Sequence, residues 1–372
     1  MPPRRSIAVN AAIVGARPTG LGHYALHAIA ALDALGERLT VYTPRPDLVR
    51  APGATVRALT DAVTPERGAA GHLARLIWVQ SGLRMRVRRD RPDVLLNLMP
   101  EGLLWPAVPQ VTTVYDLLPL WFPSEYPRQQ YYFRHYVPAV LRHSRAVLVI
   151  SESTRRDVQR FYGVPAAKVH VVLAGYDAGA YNLDGGDAHP SSEPYALYVG
   201  NVMPHKNLLR LVEAFAAAVP QGPGRLVVRG WGRPRHVAAL RRRIDALGIA
   251  ARVDWQPYAP ADELPRLYRG ARMFLLPSLY EGFGLPVLEA MACGAPVITS
   301  SRSSLPEVAG DAALLVDPED TGALAQAMTR LFADDGLAKD LRERGLARVG
   351  LFSWEKTGRA MRAAVDAALA AG

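Results

Sequence analysis

The sequence predicts an α/β protein of two doubly wound domains, each a mostly parallel sheet covered by helices. Three observations predict it. Short apolar runs alternate with segments of helical periodicity. The alternation stops once, over a stretch rich in Gly, Asp, Ser and Pro, and then restarts. The chain has 372 residues, 49% of them hydrophobic, which is enough for two ordinary cores.

In chain order, "SIAVNAAIV" reads as a strand and "GLGHYALHAIAAL" as the helix that follows it. "LTVYTP", "DVLLNLM", "VTTVYD", "AVLVIS" and "VHVVL" read as further strands. Between them "HLARLIWVQSGLRMRVRR" is helical, with Leu73, Leu76, Ile77, Gln80 and Leu83 near one face. Core packing is the plain reading of that face. "RQQYYFRHYVPAVLRHS" is helical too, and its Tyr131, Tyr132, Phe133 and Tyr136 read as core or as the lining of an acceptor site. In "ISESTRRD" a strand ends and a helix starts, with Ser153 as N-cap. After the break, "YALYVG", "RLVVRG", "ARVDWQ", "RMFLLP" and "APVITS" are strands. Helices are expected at about 206–219, 235–247, 261–270, 285–292, 320–332 and 336–349. The divisions are therefore a first domain over 1–175, a linker over 176–194, a second domain over 195–352 and a terminal helix over 353–372. Open parallel sheets bind ligands at the carboxyl ends of their strands, so the site is expected in a cleft between the domains.

Composition narrows the setting. A single cysteine, Cys293, allows no internal disulfide, fits a reducing compartment and reads as a buried thiol. No segment reaches the roughly 20 apolar residues of a bilayer span, and the N-terminus lacks a secretory signal's longer apolar core. A cytoplasmic protein is expected. Net charge is +10 and uneven: residues 1–185 carry 22 Lys and Arg against 14 Asp and Glu. An anionic partner should therefore meet the N-terminal half. Arg84, Arg86, Arg88 and Arg89 crowd one helix end there, which suits either the helix dipole or peripheral contact with an anionic membrane on its inner face. Nucleic acid is not expected, because no zinc spacing, RNA-binding aromatic motif or basic tail is present. No metal site is expected either, since His and Asp residues lack ligand spacing.

The richest stretch is "SLYEGFGLPVLEAMACGAPVITS", Ser278 to Ser300. "EGFG" turns the chain and Leu285–Pro286 opens a helix, where Pro is tolerated in the first turn. Gly284 permits tight geometry, and the amides of Phe283, Gly284 and Leu285 then converge at a helix N-terminus, an anion site suited to phosphate. Two carboxylates beside an anion site are better placed on hydroxyls. Glu289 suits a ribose diol and Glu281 a sugar. The plain alternative is acidic residues near a helix start for dipole reasons.

These residues resemble the retaining glycosyltransferases of the GT-B fold, glycosyltransferase family 4, with a mannosyltransferase-like cast. "EGFGLPVLEAMACGAPVITSSRSSLPEVAGDAALLVDPED" looks like the family's pair of glutamates, and "YVGNVMPHKNLLRLVEAFA" resembles its basic donor-phosphate motif. "TGLGHYALHAIAAL" is similar to its N-terminal glycine loop, and "FSWEKTGRAM" to its C-terminal crossing helix. The resemblance implies two Rossmann-like domains and a retaining transfer of a sugar, mannosyl or deoxy, from a nucleotide-diphospho-sugar, with no metal and no cofactor beyond that co-substrate. The acceptor would be a sugar, a lipid-linked sugar or a small molecule. It implies that Lys206 binds the donor diphosphate and that Gly20 and Gly22 let backbone approach the donor. Two positions depart from the pattern. Asn201 stands where the family usually has Arg, with Arg229 as a compensating cation or an acid's partner. Tyr115 stands where the family commonly has His, which suggests altered donor choice. Asp116 reads equally as orienting an acceptor or capping a turn. Trp231 and Tyr258 are candidate neighbours of the base. The alternatives are another enzyme on this fold, such as a sugar phosphorylase or epimerase, or a noncatalytic sugar-nucleotide-binding protein.

Overall fold

The computed structural model describes residues 4–184, 193–218, 224–257, 259–260 and 262–370. The chain forms two compact units, Met1–Gly175 with Ser353–Gly372, and Tyr176–Phe352.

The first unit is built on seven parallel strands: β1 (Ser6–Asn10), β2 (Arg38–Thr43), β3 (Thr55–Ala58), β4 (Val94–Asn97), β5 (Gln110–Val114), β6 (Ala146–Val149) and β7 (Val169–Val171). Their order is β3-β2-β1-β4-β5-β6-β7. β4, β5 and β6 are buried throughout, as expected of strands covered on both faces, whereas the edge strand β3 is largely exposed. The strand order reverses between β1 and β4, with Asn10 beside Asn97 at the carboxyl end of that junction. A buried polar ladder ties the end down. Asn10 Nδ2 donates to Asn97 Oδ1 and to the Glu101 carbonyl, and Asn97 Nδ2 donates to Gln110 and Thr112. Each of these polar groups is paired, so its burial carries little desolvation penalty.

The C-terminal helix Trp354–Ala370 packs on the helix Gly20–Ala34. Gly358 allows the approach, since a Cβ there would meet Ala31 Cβ at 2.8 Å. Trp354 stacks on His27 with ring centroids 4.6 Å apart, and Arg362 pairs with the buried Glu37 at 3.1 Å.

The second unit carries six parallel strands: β8 (Tyr195–Val199), β9 (Arg225–Arg229), β10 (Val253–Gln256), β11 (Met273–Leu276), β12 (Val297–Ser300) and β13 (Ala313–Val316), in the order β10-β9-β8-β11-β12-β13. Its strand order reverses between β8 and β11. Glycines serve close approach beyond the strand ends here. A Cβ on Gly230 would lie 1.7 Å from the Gly200 carbonyl oxygen.

The structure corrects several expectations. Over residues 68–90 the buried positions are Gly71, Arg75, Val79, Leu83 and Val87, spaced by four. An α-helix advances about 100° per residue, so such a row drifts about 40° per step. A π turn over Val79–Leu83 takes up much of that drift. Leu73 and Ile77, expected on the core face, are instead 58% and 60% exposed. The N-cap of the helix Glu152–Tyr162 is Ser151, whose hydroxyl accepts from the Thr154 amide at 3.0 Å, not Ser153. β3 and β13 were not expected as strands; both are short edge strands with mixed exposure. The expected linker lies only partly within the described residues, and its first part packs on the second unit, Tyr181 against Tyr268 at 5.9 Å. Cys293 is buried, and burial pushes its thiol up to about 11. Among the described residues no helix is long and apolar enough to cross a membrane.

Candidate active site

In the second unit the loops leaving β8 and β11 flank the reversal of strand order, where open α/β sheets take ligands. The β8 loop ends in a short turn, Pro204–Lys206, followed by Asn207 in the left-handed region at φ 63°. Asn tolerates that conformation better than most residues. Its buried side chain donates to the Pro277 and Pro318 carbonyls at 3.1 and 2.6 Å, pinning the turn to the neighbouring loops. Lys206 thereby reaches Glu281, with Nζ 2.5 Å from Oε1, and Ser278 Oγ donates to the same oxygen at 2.7 Å. Lys206 and Glu281 are both mostly buried.

Glu281 opens the turn that leads into the helix Leu285–Ala292. Ser304, itself fully buried, has its hydroxyl 2.9 and 2.8 Å from the carbonyl oxygens of Glu281 and Phe283 and shares its one proton between them. The Glu281 amide donates to Ser303 Oγ at 3.0 Å. With those groups engaged, the amides of Phe283, Gly284 and Leu285 have no hydrogen-bond partner among the described residues. Gly284 sits at φ 111°, a conformation that favours glycine, and a Cβ there would also press on the Leu305 Cδ2 methyl at 2.7 Å. The Phe283 side chain is not at the surface; it is buried against Phe352. The result is a lysine, a carboxylate and three open amides at a helix N-terminus, a set that suits a phosphate linked to a hydroxylated group.

Glu289, one turn into the helix, accepts a hydrogen bond from the Tyr268 hydroxyl at 3.0 Å. Burial pushes its carboxyl up to about 7, against the Tyr268 bond and with help from the charge of Asp177. Arg229 is buried, and its guanidinium pairs with Asp254 at 3.0 Å and Glu263 at 3.6 Å. It behaves as an acid's partner. Asn201 is part-buried, and its Oδ1 is buried without a hydrogen-bond partner. Trp231 is exposed, and Tyr258 lies outside the described residues.

In the first unit, Gly20 begins the helix Gly20–Ala34 with nothing within 4 Å of a Cβ, while a Cβ on Gly22 would meet Pro18 Cβ at 3.0 Å. The Tyr115 hydroxyl is buried and donates to the Leu98 carbonyl at 2.7 Å, with Tyr24 packed edge-on at 5.1 Å. Burial raises its pKa well above the ordinary tyrosine value. That phenol is engaged in holding the strand ends together. Asp116 Oδ1 accepts from the Leu118 amide at 3.0 Å, which caps the turn.

Ser278, Ser303, Ser304 and Asn207 hold the candidate site together, and the sequence reading did not single them out. Their signal was weak. Ser303 and Ser304 lie in "SSRSSLP", an ordinary polar loop until β12 carries it under the turn, and Ser278 lies in the loop that leaves β11. Asn207 stands between a turn and a helix start, where an αL asparagine is a known device.

Residues 18–179 match the family model for glycosyltransferase family 4, and residues 184–348 match that for glycosyl transferases group 1. O-antigen chain mannosyltransferase B of Escherichia coli is 31% identical over 255 residues, 66% of this chain and 67% of that one. The serotype-specific mannosyltransferase WbdA of Escherichia coli is 26% identical over 66% of this chain, which spans about a third of WbdA, 32%. Among solved structures, sucrose-phosphate synthase from Thermosynechococcus elongatus superposes with a TM-score of 0.79 at 23% identity, covering 99% of this chain and 100% of that one.

Proposed function

The chain belongs to glycosyltransferase family 4 and has the GT-B fold of two Rossmann-like domains, and on that premise we propose that it moves a mannosyl residue from a nucleotide-diphospho-mannose to a sugar hydroxyl, with retention and without a metal. The observation that carries the reading is Lys206 held on Glu281 at 2.5 Å beside the open amides of residues 283–285. As the bond from the anomeric carbon to the phosphate oxygen breaks, negative charge grows on the leaving diphosphate. Lys206 and the amides are already in place to receive it, so little reorganisation is needed. The acceptor oxygen bonds to the anomeric carbon on the same face, and its proton passes to the departing phosphate oxygen. Glu281 then reads hydroxyls of the transferred sugar, and Glu289 reads the ribose diol. The mannosyl choice is supported by the two relatives, both of them mannosyltransferases.

Peripheral contact with an anionic membrane belongs to the same proposal. Leu73, Ile77 and Met85 stand exposed along the outer face of residues 68–90. Trp105 is exposed too and lies under the Arg84 guanidinium, 6.0 Å from its ring centroid. An apolar strip edged by arginines suits a headgroup layer and would bring the enzyme to a lipid-linked acceptor.

The reading is tested by incubating the protein with GDP-mannose and octyl α-D-mannopyranoside without added metal and following the product by proton NMR. An α-linked disaccharide glycoside is expected. A β-linked product would overturn retention, and absence of both transfer and binding for every nucleotide sugar tried would overturn the transferase reading.

A further inference from the structure

The first unit carries a second polar cluster that the donor chemistry does not use. Glu101 follows β4 at the reversal of strand order, and its backbone is held there by Asn10. Its carboxylate is buried and takes two contacts from the buried Arg75, Nε to Oε2 at 2.9 Å and to Oε1 at 3.3 Å. Arg75 also donates to the Val63 carbonyl at 2.9 Å. Arg75 alone thus balances the charge of Glu101. A third group nevertheless joins it: His72 Nδ1 lies 2.9 Å from Glu101 Oε1.

Arg75 Nη2 also lies 3.5 Å from Nδ1, but the carboxylate contact is far shorter, and two bare acceptors would not approach that closely, so Nδ1 carries the proton and donates it to Glu101. In the neutral ring Nε2 is then an acceptor, and it has no hydrogen-bond partner among the described residues. Tyr132 meets the ring edge-to-face at 4.7 Å and fixes its plane. Tyr132 is stacked on Tyr136, whose hydroxyl donates to the Gly102 carbonyl at 2.8 Å. The imidazole is thus held on one edge and one side, while 34% of its side chain stays open to solvent. A buried carboxylate that orients a half-exposed imidazole, at the carboxyl end of a sheet's switch point, is an arrangement for receiving a ligand's hydroxyl proton.

We propose that His72 Nε2 accepts a hydrogen bond from a hydroxyl of the sugar acceptor, and that Glu101 and Arg75 are positioning residues that set its tautomer and angle. The inference rests on the transferase reading and adds an acceptor contact to it. It also supplies a hydroxyl-reading imidazole in a unit whose Tyr115 is engaged with backbone.

The test uses His72→Asn, because Asn reproduces the inward contact of Nδ1 to Glu101 but offers nothing at the outward position. The full-length wild type and variant are compared by saturation-transfer NMR with octyl α-D-mannopyranoside. They are also compared by steady-state transfer from GDP-mannose to it and by acceptor-free GDP-mannose hydrolysis. The expected result is a tenfold or larger loss of octyl mannoside binding and a matching rise in its KM. Thermal stability and acceptor-free hydrolysis should be unchanged. Glu101→Gln, which keeps size but weakens the hold on Nδ1, should show a smaller rise in the same KM. Acceptor binding within twofold of wild type in His72→Asn overturns the proposal. Loss of hydrolysis and acceptor binding together, with the fold intact, overturns it as well, since the effect would then not be confined to the acceptor. Because the binding readout needs no turnover, failure of the transferase reading and failure of this inference give different results.

Discussion

Lys206 and Glu281 come from loops 75 residues apart, and the first is useful only because the second is there. A lysine facing a mostly buried carboxylate is held in one place, and in the proposed function it must partly release that partner to bind a diphosphate. Glu289 offers a different handle. Its native pKa of about 7 lies above the 4.5 of an unperturbed glutamate. Below about pH 4.5 both folded and unfolded chains hold the proton, and burial of the neutral acid costs little. As pH rises through about 7 the native state must bury a charge, so stability present at low pH is lost. Glu289→Gln has no charge to bury. Its melting temperature should exceed that of the wild type at pH 8 by more than at pH 5, measured without ligand. An equal difference at the two pH values would show that Glu289 titrates normally. The ionised form also offers more acceptor lone pairs to a diol, so affinity for a nucleotide should weaken as pH falls below about 7.

At the scale of elements, residues 68–90 show how a local irregularity has a global consequence. The π turn keeps Gly71, Arg75, Val79, Leu83 and Val87 inward, and the same phase leaves Leu73, Ile77 and Met85 outward. Sequence periodicity alone placed Leu73 and Ile77 inside, because a regular 3.6-residue repeat cannot anticipate a wide turn. The outward face predicts that the protein co-sediments at low salt with vesicles containing a third phosphatidylglycerol, and that Leu73→Glu with Ile77→Glu abolishes this without lowering the melting temperature. Binding that survives in the double variant, or no binding by the wild type, would remove the membrane from the proposal. The strands that were legible include buried ones such as β4 and β11, whose apolar runs are nearly continuous. β3 was not, since it is a largely exposed edge strand with Thr and Arg among its four residues; β13, at the other sheet's edge, is apolar in sequence but only partly buried and was passed over.

Across the whole molecule, two sheets reverse their strand order, and each reversal carries a polar cluster: Asn10, Asn97 and Glu101 in the first unit, Lys206 and Glu281 in the second. The glycine-rich turn and its glutamate were readable from sequence because the chemistry is local. A turn that presents consecutive open amides declares itself in consecutive residues. The fate of Arg229 was not readable, because Asp254 and Glu263 reach it only through the pairing of β9 with β10 and the helix beyond. His72 and Glu101, 29 residues apart, were hidden for the same reason. The most direct test of the donor site is release of nucleoside diphosphate from GDP-, UDP-, ADP- and dTDP-linked sugars by the wild type and Lys206→Ala. One donor class should be turned over by the wild type. Removal of the lysine should lower kcat by about 10²- to 10³-fold with the fold intact, as expected for loss of one preorganised group that stabilises transition-state charge. Turnover of none of the four, or turnover that Lys206→Ala leaves unchanged, would contradict the assignment.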